Sequence, residues 1–77
     1  WKIAINLGVI IRYDANQERL YIPAYPFPYL PLVVERALIM ASGGFPSRGN
    51  KWFMYSRIKP HRAKELARIL NVKLKWD

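Results

Sequence analysis

Apolar residues take every odd position from Ile3 through Ile5, Leu7, Val9 and Ile11 to Tyr13, with Ala4, Asn6, Gly8, Ile10 and Arg12 between them. Side chains alternate across a strand, so this spacing predicts one long strand with a greasy face and a face of small or polar groups. One face of its sheet is then covered and the other at least partly open, as in an antiparallel sheet with helices on one side.

The rest of the chain supplies the other elements. Asp14 to Glu18 are turn formers, and Arg19 to Ala24 (RLYIPA) reads as the return strand, with Pro23 suited to a strand end or an edge. Ala24 to Pro31 (AYPFPYLP) follows, where alternate prolines hold the backbone extended and stiff. This segment reads as a rigid connector whose aromatics lid the core, or as a polyproline ligand. Pro31 fits the first turn of a helix over Leu32 to Ser42, ended by Gly43-Gly44. That helix carries so few polar groups that burial over most of its circumference is expected. Phe45 to Ser47 and Lys51 to Tyr55 read as a hairpin around Arg48-Gly49-Asn50. A second helix begins near Pro60, with Ala63, Leu66, Ala67 and Leu70 forming one apolar stripe and Asn71 a left-handed cap. Val72, Leu74 and Trp76 alternate with Lys73 and Lys75 in a last strand. The expected fold is α+β, ordered ββαββαβ, with a mixed five-stranded sheet and two helices packed on one face.

Seventy-seven residues make one small domain, which buries roughly 60–65% of the surface its unfolded chain exposes. A composition of 52% hydrophobic and 14% aromatic residues allows the dense core this demands. The absence of cysteine excludes disulfides, thiolate metal sites and a cysteine nucleophile, and fits a reducing, cytoplasmic setting. No apolar run approaches the roughly 20 residues of a membrane span, and no signal-peptide pattern is present. The first residue is Trp1 rather than Met, as in a piece of a longer chain.

Charge separates the two halves. Residues 1–38 hold four basic and three acidic groups, a net of +1; residues 39–77 hold nine basic groups against Glu65 and Asp77, a net of +7. A basic half points to a polyanionic partner, nucleic acid first and an anionic membrane second. Catalysis is not expected, and no cofactor is implied. Asp14, Glu18, Glu35, Glu65 and Asp77 are scattered, and His61 is the one histidine, so neither a metal cluster nor a nucleophile–base pair can be assembled. Gly43-Gly44 lacks the further glycines and the lysine of a phosphate-binding loop.

Two stretches carry the binding chemistry. Lys59-Pro60-His61-Arg62-Ala63-Lys64 crowds cations onto a helix N-terminus, where the dipole already contributes about half a positive charge. A phosphate there meets free N–H groups, the dipole and the cations together, and Arg48, Lys51 and Arg57 are close by in sequence. The second stretch, Trp52-Phe53-Met54-Tyr55, has four large side chains where a one-sided strand needs two. Either Trp52 and Met54 or Phe53 and Tyr55 belong to the core. The other pair shares a face with Lys73 and Lys75, and with Asn6 and Arg12, equipped to stack bases while cations hold phosphates.

Ile10 to Pro23 (IIRYDANQERLYIP), the proline-entered helix ending in Gly-Gly, Asn50 to Tyr55 (NKWFMY) and Lys59 to Leu70 (KPHRAKELARIL) together resemble a small module beside helicase motors. It is the damage-recognition domain of XPB-type proteins and the HARP module of annealing helicases. Here Lys51 and Trp52 are adjacent where the module's strand is Lys-x-Trp-like. The resemblance implies binding to DNA, often distorted or forked, and a larger helicase partner. The expected function is non-enzymatic nucleic-acid binding, DNA before RNA. Arg48, Lys51, Arg57, Lys59, Arg62, Lys64, Lys73 and Lys75 would hold phosphates, and a pair from Trp52, Phe53, Met54 and Tyr55 would meet bases. The alternatives are an RNA- or ribosome-associated basic protein, and an assembly module using Tyr25, Phe27 and Tyr29 of the proline segment.

Overall fold

The computed structural model describes residues 6–24, 30–49 and 51–76. The elements are β1 (Ile10–Asp14), β2 (Arg19–Pro23), α1 (Leu32–Ser42), β3 (Ser47–Arg48), β4 (Trp52–Tyr55), α2 (Pro60–Leu70) and β5 (Lys73–Trp76). The order is the expected ββαββαβ. The strands form one sheet in the order β3-β4-β2-β1-β5, in which β5 runs parallel to β1 and every other pair is antiparallel. Both helices cover the same face. Ile11 and Tyr13 of β1, Leu20 and Ile22 of β2 and Tyr55 of β4 form one buried cluster with Val34 and Leu38 of α1 and the Ala63, Leu66, Ala67, Leu70 stripe of α2.

The odd-position alternation does not run as one strand. β1 starts at Ile10, because Gly8 takes a left-handed backbone (φ +84°) and the Val9 N–H closes a turn onto the Asn6 carbonyl at 3.0 Å. Leu7, expected in the core, is 70% exposed. The competing demand comes from α2, whose last carbonyls have no partner within the helix. Asn6 is fully buried, and its side-chain amide donates to the Leu70 carbonyl at 3.0 Å. Ile3 and Ile5 lie outside the described residues.

Both helices begin and end as their sequences predict. Pro31 precedes α1 in an extended conformation, and Pro60 opens α2 behind an extended Lys59. Each helix closes with the paired reverse hydrogen bonds of a left-handed C-cap. After α1 the N–H groups of Gly43 and Gly44 donate to the carbonyls of Met40 (3.3 Å) and Ile39 (3.0 Å); after α2 those of Asn71 and Val72 donate to Arg68 (3.2 Å) and Ala67 (3.0 Å). The expectation that α1 is buried on most sides is not met. It meets the sheet at β4, next to the two-residue β3, so Val34 and Leu38 are buried, Ile39 is half-buried against the core, and the rest of the helix finds no such partner. Val33 and Met40 stay 59% and 81% exposed. Phe45 falls outside β3 altogether.

The link from β4 to α2 is held from both sides. The Tyr13 hydroxyl donates to the Ile58 carbonyl, and the Ile58 N–H donates to the Glu18 carbonyl at 2.9 Å. Glu18 and Arg57 are both left-handed (φ 55° and 62°), which turns the two loops toward each other. The Asp14 carboxylate accepts the N–H groups of Asn16 (3.0 Å) and Gln17 (3.2 Å), fixing the β1–β2 turn.

Two stability predictions follow from these contacts. Gly43 sits at φ +79° with an Arg57 guanidinium nitrogen 3.1 Å from where a Cβ would be, whereas Gly44 has open space and ordinary φ. Gly43→Ala is expected to cost about 1–2 kcal/mol in urea unfolding, and Gly44→Ala less than about 0.5 kcal/mol; equal effects would remove the capping account. Burial, then the charges of Glu18 and Asp14, raise Tyr13 above the ordinary tyrosine value; burial, then Glu35, raise Tyr55. The folded chain therefore holds these two protons more tightly than the unfolded chain. Their contribution is intact below about pH 10 and is lost as pH climbs through the raised values. Tyr13→Phe should flatten that alkaline loss, and should cost about 1–3 kcal/mol at neutral pH by orphaning the Ile58 carbonyl.

Candidate nucleic-acid interface

Strand register sorts the Trp52–Tyr55 quartet. Tyr55 pairs with Leu20 and Phe53 with Ile22, so both point to the helix-covered face. Tyr55 is a core residue, and Phe53 packs against the core with the Arg48 guanidinium 5.7 Å from its ring centre. Neither is placed to stack a base, which corrects the expectation for Phe53 and Tyr55. Trp52 pairs with Pro23 and Met54 with Tyr21, on the face away from the helices.

That second face gathers side chains from all five strands. One row crosses it as Ser47, Met54, Tyr21, Arg12 and Lys75, and beside it lie the pairs Trp52–Pro23 and Ile10–Lys73. Large, partly apolar groups occupy β4 and β2; cations occupy β1 and β5. Strands lie about 4.8 Å apart, so β4 and β5 are roughly 14 Å apart and the aromatic and cationic zones are contiguous. Trp52, Tyr21 and Met54 are half-buried, while Arg12, Lys73 and Lys75 are exposed. Asn6, expected here, is instead buried against α2. Tyr21 was not singled out from sequence, although the alternation of RLYIP, with Leu20 and Ile22 inside, assigns it to this face.

The cations of α2 form a separate group. Lys59, Arg62 and Lys64 sit at its exposed start, where no acid occupies the first turn. They are less bare than the sequence suggests. Lys59 Nζ lies 3.0 Å from Glu18 Oε2, Arg62 lies 3.3 Å from Glu65 Oε1, and Lys64 Nζ stands 5.4 Å from the Trp76 ring centre. These are solvent-facing contacts of little net strength, open to exchange for a phosphate.

The expected phosphate-binding residues therefore do not form one patch. Lys51 lies just before β4 and Arg57 two residues after it, so the hairpin and the α2 start flank opposite ends of that strand. Arg57, Lys59, Arg62 and Lys64 group at one end. Lys51 and Lys73 lie at the other, since the Lys51 carbonyl accepts the Ala24 N–H and Lys73 pairs with Ile10 at the start of β1. Arg48 faces the helix side, lining a hollow of about 460 Å³ with Glu35, Phe45 and Tyr55. Tyr25, Phe27 and Tyr29 of the proline segment lie outside the described residues.

Among the described residues no group of three His, Asp or Glu is placed to hold a metal ion, and no helix is long and apolar enough to cross a membrane. In comparisons with known proteins, no family model, no curated protein and no solved structure matches the chain.

The Glu18–Lys59 pair gives a direct check on this electrostatic picture. Glu18→Gln removes the carboxylate and leaves the backbone carbonyl to Ile58. It should shift unfolding free energy by no more than about 1 kcal/mol; a larger loss in urea titration would make the pair structural rather than exchangeable.

Proposed function

We propose that the chain is a non-enzymatic nucleic-acid-binding domain whose binding surface is the sheet face away from the helices. The observation that carries this reading is the row Met54, Tyr21, Arg12 and Lys75, flanked by Trp52 and Lys73. Aromatic rings on one side of it stack bases, and cations on the other hold the backbone. Such a face reads unpaired bases, because a stacked duplex hides its base planes. Arg57, Lys59, Arg62 and Lys64 at the far end extend the electrostatic grip to a continuing strand, with Lys51 at the hairpin. The net charge of +8 supports a polyanionic partner.

DNA is placed before RNA through the resemblance to damage-recognition and HARP modules, which also suggests a larger helicase partner. Stacking itself tolerates either sugar, so an RNA- or ribosome-associated role rests on the same face.

Fluorescence anisotropy with matched single-stranded, duplex and forked DNA and with RNA, each across a salt series, tests the reading. Single strands or forks should bind more tightly than duplex, with a log–log salt slope of about −3 to −4, the mark of four to six neutralised phosphates. Trp52→Ala should weaken single-strand binding at least about fivefold while keeping the slope. Charge reversal at Lys73 and Lys75 should weaken binding and flatten the slope by about one unit or more. RNA preferred over DNA of equal length would select the RNA role. A flat response with every nucleic acid would sink the proposal.

A further inference from the structure

The helix side of the molecule carries an apolar surface that the nucleic-acid reading does not use. Val33, Ala37, Met40 and Ala41 of α1 recur at i, i+4, i+7 and i+8, a second apolar stripe beside the buried Val34–Leu38 stripe. With Leu66 and Ile69 of α2 they line a groove of about 600 Å³ between the two helices. Exposed apolar residues are ordinary when scattered, but a contiguous stripe at helical spacing on so small a domain marks a contact surface.

The charges around the groove select its occupant. Arg62 stands in its wall, and Arg36 and Arg68 are exposed on the same two helices. Glu65 also lines it, already 3.3 Å from Arg62. A second copy of the chain would bring another +8 against this basic rim. A helix with one apolar face and acidic flanks instead matches both features, in the helix-in-groove mode whose anchors repeat at i, i+3, i+4 and i+7. We propose that the α1–α2 groove docks an acidic amphipathic helix of a partner protein. The groove lies opposite the sheet surface and shares only Arg62 with the cations assigned to phosphate, and the proposal does not depend on the nucleic-acid reading.

The probe is a fluorescein-labelled amphipathic peptide with leucines at i, i+3, i+4 and i+7 and glutamates on its remaining face. Its scrambled isomer keeps composition and charge but loses the apolar face. Polarisation titrations are run on the wild type, Met40→Glu and the Lys73→Glu/Lys75→Glu double variant. Met40 is 81% exposed, so its replacement leaves the core untouched, and circular dichroism verifies folding. The amphipathic peptide should bind, the scrambled one at least about tenfold more weakly, and Met40→Glu should cost about tenfold or more. The Lys73/Lys75 variant should retain most of the affinity, and amide shift changes should map to α1 and α2. Equal binding of both peptides, or loss with the Lys73/Lys75 variant but not with Met40→Glu, would show attraction by charge alone and overturn the proposal. So would a wild-type dimer in sedimentation that Met40→Glu dissolves, because the groove would then belong to a second copy.

Discussion

The hydrogen bond from the Tyr13 hydroxyl to the Ile58 carbonyl fixes where everything after β4 can go. Tyr13 stands on β1, an interior strand between β2 and β5, and is fully buried, with Trp76 of β5 edge-on at 5.0 Å between ring centres. Ile58 is the last buried residue before α2. Tying its carbonyl to the strand, and its N–H to the Glu18 carbonyl, sets the position of the helix start. The run from Lys59 to Lys64 is therefore presented next to the β1–β2 turn, which is how Glu18 comes to meet Lys59. A short chain with no disulfide has few ways to position an exposed helix end, and a buried polar tie to the core is an effective one.

The two faces of the sheet divide the work. The covered face takes the apolar half of β1, β2, β4 and β5 and both helices, and so consumes Phe53 and Tyr55. The other face keeps the remainder: Trp52, Met54 and Tyr21 beside Arg12, Lys73 and Lys75. Its composition follows from strand periodicity, because residues that alternate with a core must collect on the side the core does not use. The helix layer is incomplete in turn, since α1 rests near the short β3 and gives only one stripe to the sheet. The molecule thus presents an aromatic and cationic sheet on one side and an apolar groove with a basic rim on the other.

Much of the fold was legible in the sequence wherever the signals were local. Pro31 and Pro60 at helix starts, Gly43-Gly44 as a stop, Asn71 as a left-handed cap, and the Ala63–Leu70 stripe located both helices, because each rests on backbone sterics or on i, i+4 geometry. Alternation overstates the N-terminal strand because it cannot register Asn6 being recruited to the end of α2, a contact 64 residues away. Local sequence does not choose between the Trp52 and Phe53 pairs for the same reason. It depends on pairing with Leu20 and Ile22, and register is a non-local property. The cations were all visible, but their grouping was not: closeness in sequence placed Lys51 with Arg57, and an intervening strand separates them.

Lys73 and Lys75 have a further consequence that concerns the chain's behaviour with its own kind. Among the described residues, β3 and β5 are the outer strands of the sheet. An outer strand offers unpaired backbone groups to any other chain able to add to it, the route to open-ended aggregation. The two rims are blunted differently: β3 is only two residues long, and β5 places a lysine at alternate positions. Solubility at the β5 rim therefore rests on charge, so whatever neutralises those lysines also removes what keeps that rim from pairing with its neighbours.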